Sequence, residues 1–169
     1  WCRNYSIKAS ADGESIQEFD NTQEKILNQG YLYIEINGQR SVDIEFNYVM
    51  EPVFYRSNRK VRECVGQVCL LRGPLVYCLE EADNGSNLHN ILVSPQQALK
   101  TVQETELDFL GKGSVGIIMD GMRECDGKES LYEIAESVPA VENTRLKFIP
   151  YYAWANRQEG EMTVWIREK

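Results

Sequence analysis

Few residues of this chain are of a type that does chemistry. There is one histidine, His89, in a polar segment. A lone loop histidine without a serine, an aspartate or further ligands beside it makes neither a catalytic triad nor a metal site. Glu80, Glu81 and Asp83 stand just past an apolar run. Paired carboxylates are what glycosidases use as acid, base or nucleophile, but acidic residues also gather wherever a chain leaves a sheet, so a solvated strand end is the expectation. Gly111-Lys112-Gly113-Ser114 superficially resembles a phosphate loop. That motif needs a glycine five residues before Gly111, where this chain has Glu106, so the segment reads as a turn.

The five cysteines, Cys2, Cys64, Cys69, Cys78 and Cys125, are odd in number and lack CxxC spacing, so at least one is free or intermolecular. Cys69 and Cys78 sit among Val, Leu and Tyr, where a thiol behaves as a small core hydrophobe. Thiols of this kind favour a reducing compartment such as the cytoplasm. Two sequons, Asn4-Tyr5-Ser6 and Asn84-Gly85-Ser86, are too short a pattern to count.

The densest local feature is Tyr151-Tyr152-Ala153-Trp154, preceded by Pro150 and followed by Ala155-Asn156-Arg157. Such a cluster either stacks on sugar rings or docks on another domain. Packing is the expectation for Tyr151, Tyr152, Trp154, Asn156 and Arg157. Carbohydrate contact through the same residues is the alternative.

The elements that must position these residues are strands. Period-two alternation dominates and sustained helical spacing is absent. Leu32, Ile34 and Ile36 alternate with Tyr31, Tyr33 and Glu35; after Asn37-Gly38 the pattern resumes at Val42, Ile44, Phe46 and Tyr48, predicting a hairpin with a long or bulged loop. Val65–Leu71 and Leu75–Leu79 are nearly continuous apolar runs, hence strands buried on both faces, with a bulge or sharp bend at Arg72-Gly73-Pro74. The polar stretch from Glu80 to Asn90 reads as a linker or long loop. Short strands follow around Ile91–Val93, Ala98–Val102, Val115–Met119, Leu131–Ala135, Arg145–Ile149 and Glu161–Arg167, the last with Met162, Val164 and Ile166 alternating against Thr163, Trp165 and Arg167. The fold class predicted is all-β, an antiparallel sandwich or two small ones in tandem. The division predicted is 1–82, truncated at its N-terminus, and 83–169.

The 169 residues carry 18 basic and 26 acidic side chains, a net charge of -8. The basic residues are scattered, which argues against nucleic acid. No apolar run approaches the roughly 18 residues of a spanning helix, so a membrane partner is not expected. The start at Trp1-Cys2 has no initiator Met and reads as a cut from a longer polypeptide.

Two segments carry a resemblance: Leu71-Arg72-Gly73-Pro74-Leu75-Val76-Tyr77-Cys78-Leu79-Glu80, and Ile149-Pro150-Tyr151-Tyr152-Ala153-Trp154-Ala155-Asn156-Arg157 with Gly160–Trp165 behind it. Trp1–Tyr5 and Lys60-Val61-Arg62-Glu63 fit the same pattern. Together they resemble the C-terminal portion of glycoside hydrolase family 127, the β-L-arabinofuranosidase-like enzymes. The resemblance implies a parent with an N-terminal (α/α)6 barrel, where a Glu and three cysteines, two of them adjacent, hold zinc. No Cys-Cys pair exists in this chain, so no catalytic or metal residue is carried over, and zinc is expected only in the barrel. The implied role is a non-catalytic region that packs on the barrel or mediates homo-oligomerisation.

Overall fold

The computed structural model describes residues 4–11, 14–20, 27–28, 31–34, 38, 41–125, 132, 134 and 139–169. They divide into two compact units, Trp1–Glu51 and Pro52–Lys169. The sequence reading divides the chain after residue 82; in the structure, strands on both sides of that point belong to one sheet.

In the first unit β1 (Tyr5–Ala11) lies between β2 (Glu14–Asp20) and β5 (Asp43–Tyr48), antiparallel to both, while β3 (Leu27–Asn28) pairs with β4 (Tyr31–Leu32). Tyr5, Ile7 and Ala9 face Tyr48, Phe46 and Ile44 in register, so alternation puts apolar side chains on one face of the sheet. Ile44, Phe46 and Tyr48 are nonetheless exposed. Residues 37, 39 and 40 of the expected hairpin turn lie outside the described residues. So do Cys2 and most of the strand expected over 131–135.

The second unit contains β6 (Pro52–Tyr55), β7 (Gln67–Arg72), β8 (Leu75–Glu80), β9 (Ile91–Val93), β10 (Gln103–Glu106), β11 (Val115–Glu124), β12 (Val141–Pro150), β13 (Met162–Thr163) and β14 (Ile166–Glu168). It is mostly β and mostly antiparallel, as the alternation predicts. β7 pairs with β8, β8 with β12, β12 with β11, β11 with β9, β9 with β14 and β14 with β7, so the pairings close a circuit. Among the described residues, only β9–β14 is parallel. β6, β10 and β13 flank the circuit on β7, β11 and β8.

Alternate residues of these strands build one core: Val68 and Leu70, Tyr77 and Leu79, Ile91 and Val93, Ile117 and Met119, Leu146 and Phe148, with Ile166. The Tyr77 hydroxyl, buried with its ring, donates to the Val115 carbonyl at 2.8 Å, the partner a buried phenol requires. Gly121 in β11 packs so closely under Leu146 that a Cβ there would collide with that side chain. The opposite faces of β8 and β12 carry Cys78 and Ile149 into a second cluster with Leu107 and Ala153, against which Leu110, Met162 and Val164 pack.

Three expectations change. Arg72-Gly73-Pro74 is a two-residue hairpin turn, with Arg72 opposite Leu75 and Leu71 opposite Val76. Gly73 adopts φ +57, and a turn that needs positive φ at its first central residue and a proline at its second selects Gly-Pro. Ala98–Val102 is not a strand: a helical turn, α2 (Pro95–Ala98), opens on Pro95 and runs into a 3₁₀ turn over Leu99–Thr101, since proline at the first helical position is preset for that geometry. The closing strand is broken into β13 and β14, which take different partners. The Thr163 hydroxyl donates to the Trp165 carbonyl at 2.8 Å, and between them the chain passes from the second cluster, where Val164 packs, to the main core at Ile166.

Candidate functional site

Strand alternation carries Glu80 to the same side of β8 as Cys78, facing the second cluster. It is the one charged residue buried among the described residues, 6% exposed, not the solvated strand end expected. A buried carboxylate costs several kcal/mol unless paired, and this one is paired twice. Its Oε1 accepts the Ala155 backbone N–H at 2.8 Å, and its Oε2 accepts from Arg157 Nη2.

Arg157 extends its fork to Asp83 as well, with Nη1 to Oδ1 at 3.0 Å and Nη2 to Oδ2 at 2.6 Å, and Lys147 Nζ donates to Asp83 Oδ1 at 2.9 Å. Burial alone would push the Asp83 carboxyl up, but the hydrogen bonds from Arg157 and Lys147 outweigh it and hold the group below its ordinary value. The Arg157 guanidinium lies 4.6 Å from the centroid of Phe109, a cation–π contact. Asn84, in the helical turn α1 (Glu81–Asn84), locks that turn to β12: its amide donates to the Lys147 carbonyl at 3.0 Å and accepts the Lys147 N–H at 2.9 Å. The polar stretch after β8 is therefore tied down at its start, where the sequence reads only a loop.

The aromatic cluster begins where β12 ends. Pro150 is extended and the chain then tightens into a 3₁₀ turn over Tyr151–Ala153. Ala153 is fully buried in the second cluster, while Tyr151, Tyr152 and Trp154 are 46%, 58% and 40% exposed. The Tyr151 and Trp154 rings stand 6.4 Å apart, inclined at 40°. Beside them runs a shallow groove of about 570 Å³ lined by Gln67, Val76, Tyr151, Met162, Val164 and Trp165. The polar members of the cluster are engaged internally: the Asn156 amide donates to the Ala153 carbonyl at 3.0 Å, and Arg157 is held by Glu80 and Asp83.

His89 and the Gly111–Gly113 turn stand outside this network. His89 is exposed and lines a groove with Leu88, Glu161 and Trp165. Gly111-Lys112-Gly113 is an exposed turn leading into strand β11, whereas a phosphate loop opens a helix. Cys78 is fully buried, and burial together with the neighbouring Glu80 charge pushes its thiol up to about 12. Burial, followed by the neighbouring Cys64, raises Cys69 as well, so neither thiol is disposed to act as a nucleophile or ligand. Among the described residues no three His, Cys, Asp or Glu side chains stand together as a metal site. The described residues do not fit the zinc set that the resemblance implies.

The arrangement is one of support: a buried acid and a forked base hold a turn whose aromatic side chains face outward. Sequence reasoning found the aromatic cluster and the acidic residues but not their connection. Glu80 and Arg157 are far apart along the chain, and no local pattern pairs them.

The chain resembles known proteins throughout. The family described as glycoside hydrolase family 127 C-terminal domain matches residues 52–167. The non-reducing end β-L-arabinofuranosidase of Bifidobacterium longum subsp. longum is 35% identical over 144 residues, covering 83% of this chain and 22% of that protein. A solved structure of a GH127 β-L-arabinofuranosidase from Geobacillus stearothermophilus T6 matches 100% of this chain and 25% of its own, at 33% identity and a TM-score of 0.80. A second solved GH127 β-arabinofuranosidase matches 96% of this chain and 23% of its own, at 30% identity and a TM-score of 0.71. The chain thus spans about a quarter of the length of these relatives.

Proposed function

This chain belongs to the glycoside hydrolase family 127 C-terminal domain family, and from that premise we propose that it is a non-catalytic region of a β-L-arabinofuranosidase-like enzyme that packs on the catalytic part. Zinc and the reacting carboxylates and thiols are assigned to that part. The observation that carries the docking role is the state of the aromatic cluster. Tyr151, Tyr152 and Trp154 are exposed, while Asn156 and Arg157, which a sugar site would turn toward hydroxyl groups, each hydrogen-bond within the chain.

Carbohydrate sites combine a stacking face with convergent polar groups. Here the two neighbouring rings are inclined rather than coplanar, and the adjoining groove is walled largely by Val76, Met162, Val164 and Trp165. An apolar surface of that composition fits the centre of a protein–protein contact. In the first unit the exposed row Ile44, Phe46 and Tyr48 on edge strand β5 offers a second such surface.

Sugar recognition by the same aromatics is the competing reading, favoured by their exposure and by a cavity of about 210 Å³ that Trp154 lines together with Glu81, Gln158, Glu159 and Glu161. Calorimetric titration of the chain with arabinose-containing oligosaccharides, alongside sedimentation of the chain and of Trp154→Ala, separates the two. Docking predicts no saturable sugar binding, and self-association at high concentration that Trp154→Ala weakens. Saturable binding abolished by Trp154→Ala, with association state and stability unchanged, would make this a binding module.

A further inference from the structure

We propose that Glu80, Asp83 and Arg157 form a positioning clamp whose role is to fix the turn 151–157, so that Tyr151, Tyr152 and Trp154 are presented in one arrangement for docking. This rests on the docking reading above. Two independent costs converge on the turn. The first is the buried carboxylate itself. Replacing a buried ion pair by apolar residues of similar volume is often neutral or stabilising, so the Glu80–Arg157 pair has to be explained by what it orients more than by the stability it contributes.

The second cost is backbone strain. Ala155 adopts φ +61, a left-handed conformation that an L-residue other than glycine enters at a penalty. Its N–H, the group that this conformation turns inward, donates to Glu80 Oε1 at 2.8 Å. The clamp thus holds the strained residue by its amide and Arg157, two residues on, by its fork. On the near side, Ala153 is buried in the second cluster and accepts from Asn156. Trp154 lies between these two anchors, so its backbone is held on both sides.

A fork is needed for this, not merely a positive charge. One guanidinium reaches Glu80 and both oxygens of Asp83 while keeping its face on Phe109. An ammonium has no planar face and is a point donor. Asp83 already has an ammonium partner in Lys147, so a second one supplies charge without the geometry.

The test is residue-resolved amide hydrogen exchange on the whole chain, comparing the native sequence with Arg157→Lys and with the milder Glu80→Gln. Global stability is followed in parallel by urea denaturation. The clamp predicts that Arg157→Lys accelerates exchange at Ala155 by about tenfold or more and alters the near-ultraviolet circular dichroism of the aromatic cluster, while Leu79 and Phe148 in the core keep their protection. Glu80→Gln, which retains an oxygen for the Ala155 N–H, should give a smaller acceleration at the same site. An unchanged rate at Ala155, or acceleration spread evenly over the core, overturns the proposal. The docking reading fails separately, through saturable sugar binding by the unaltered chain, whatever happens at Ala155.

Discussion

Replacing Gly73 in the Arg72–Leu75 hairpin turn tests the most local part of the fold. Its φ of +57 is open to glycine, whereas an ordinary L-residue pays about 1–2 kcal/mol there. Removing glycine also lowers the entropy of the unfolded chain, which returns about 0.4–1 kcal/mol. Gly73→Ala should therefore lose between about 0 and 1.6 kcal/mol by this balance. Gly73→Val, whose branched Cβ crowds a turn already flanked by Pro74, should lose about 1–3 kcal/mol. Because Leu71–Val76 and Arg72–Leu75 pairing sets the register of two core strands, the cost falls on the whole second unit. Urea denaturation should show a lower midpoint at an unchanged slope, the sign of lost stability without a change in the surface exposed on unfolding. A loss below about 0.5 kcal/mol for Gly73→Val would mean that the turn accepts a side chain, and the positive-φ argument would fail.

Three further outcomes follow from the same structure. Ala155→Gly relieves a left-handed alanine and should raise stability by about 0.5–1 kcal/mol in the same urea assay, unless the strain is absent. Burial pushes both Tyr77 and Cys78 up to about 12, from ordinary values of 10.0 and 9.0, so the folded state keeps protons that the unfolded state releases. Their contribution should be complete below about pH 9 and fall as pH rises toward 12, by at most about 1.4 kcal/mol per pH unit for each group; Tyr77→Phe should make that fall shallower in melts from pH 8 to 12. Finally, the chain alone should release no chromophore from an aryl β-L-arabinofuranoside, with or without added zinc. Turnover that survives purification and disappears in Cys78→Ala or Glu80→Gln would place chemistry in this chain after all.

Much of the fold was legible because strand physics is local. The apolar runs Val65–Leu71 and Leu75–Leu79 mark two buried strands without telling which face meets the core, and the Pro-interrupted stretch between them marks the bend at Gly73. The closing segment misleads because Met162, Val164 and Ile166 alternate as one strand would, but the chain changes partners between Thr163 and Ile166. Nothing local records where that break falls. Pro95 could have signalled the helical turn that replaces the strand expected over Ala98–Val102. The aromatic turn was visible from its composition, but its support was not. The Glu80–Arg157 contact is a long-range ion pair that depends on how β8, β12 and the chain after β12 come together. The polar stretch after Glu80 has the composition of a linker, yet Asn84 and Asp83 bind its start to Lys147 on β12.

The docking account is tested most directly by solvent protection in an assembled enzyme. A chimera in which this chain replaces the corresponding quarter of the Geobacillus stearothermophilus T6 β-L-arabinofuranosidase can be compared with the isolated chain by hydrogen exchange and by quenching of aromatic fluorescence. The account predicts that Tyr151, Tyr152 and Trp154 become protected in the chimera and that Trp154→Ala speeds its thermal inactivation. A folded, active chimera in which the three aromatics remain as accessible as in the isolated chain would contradict it.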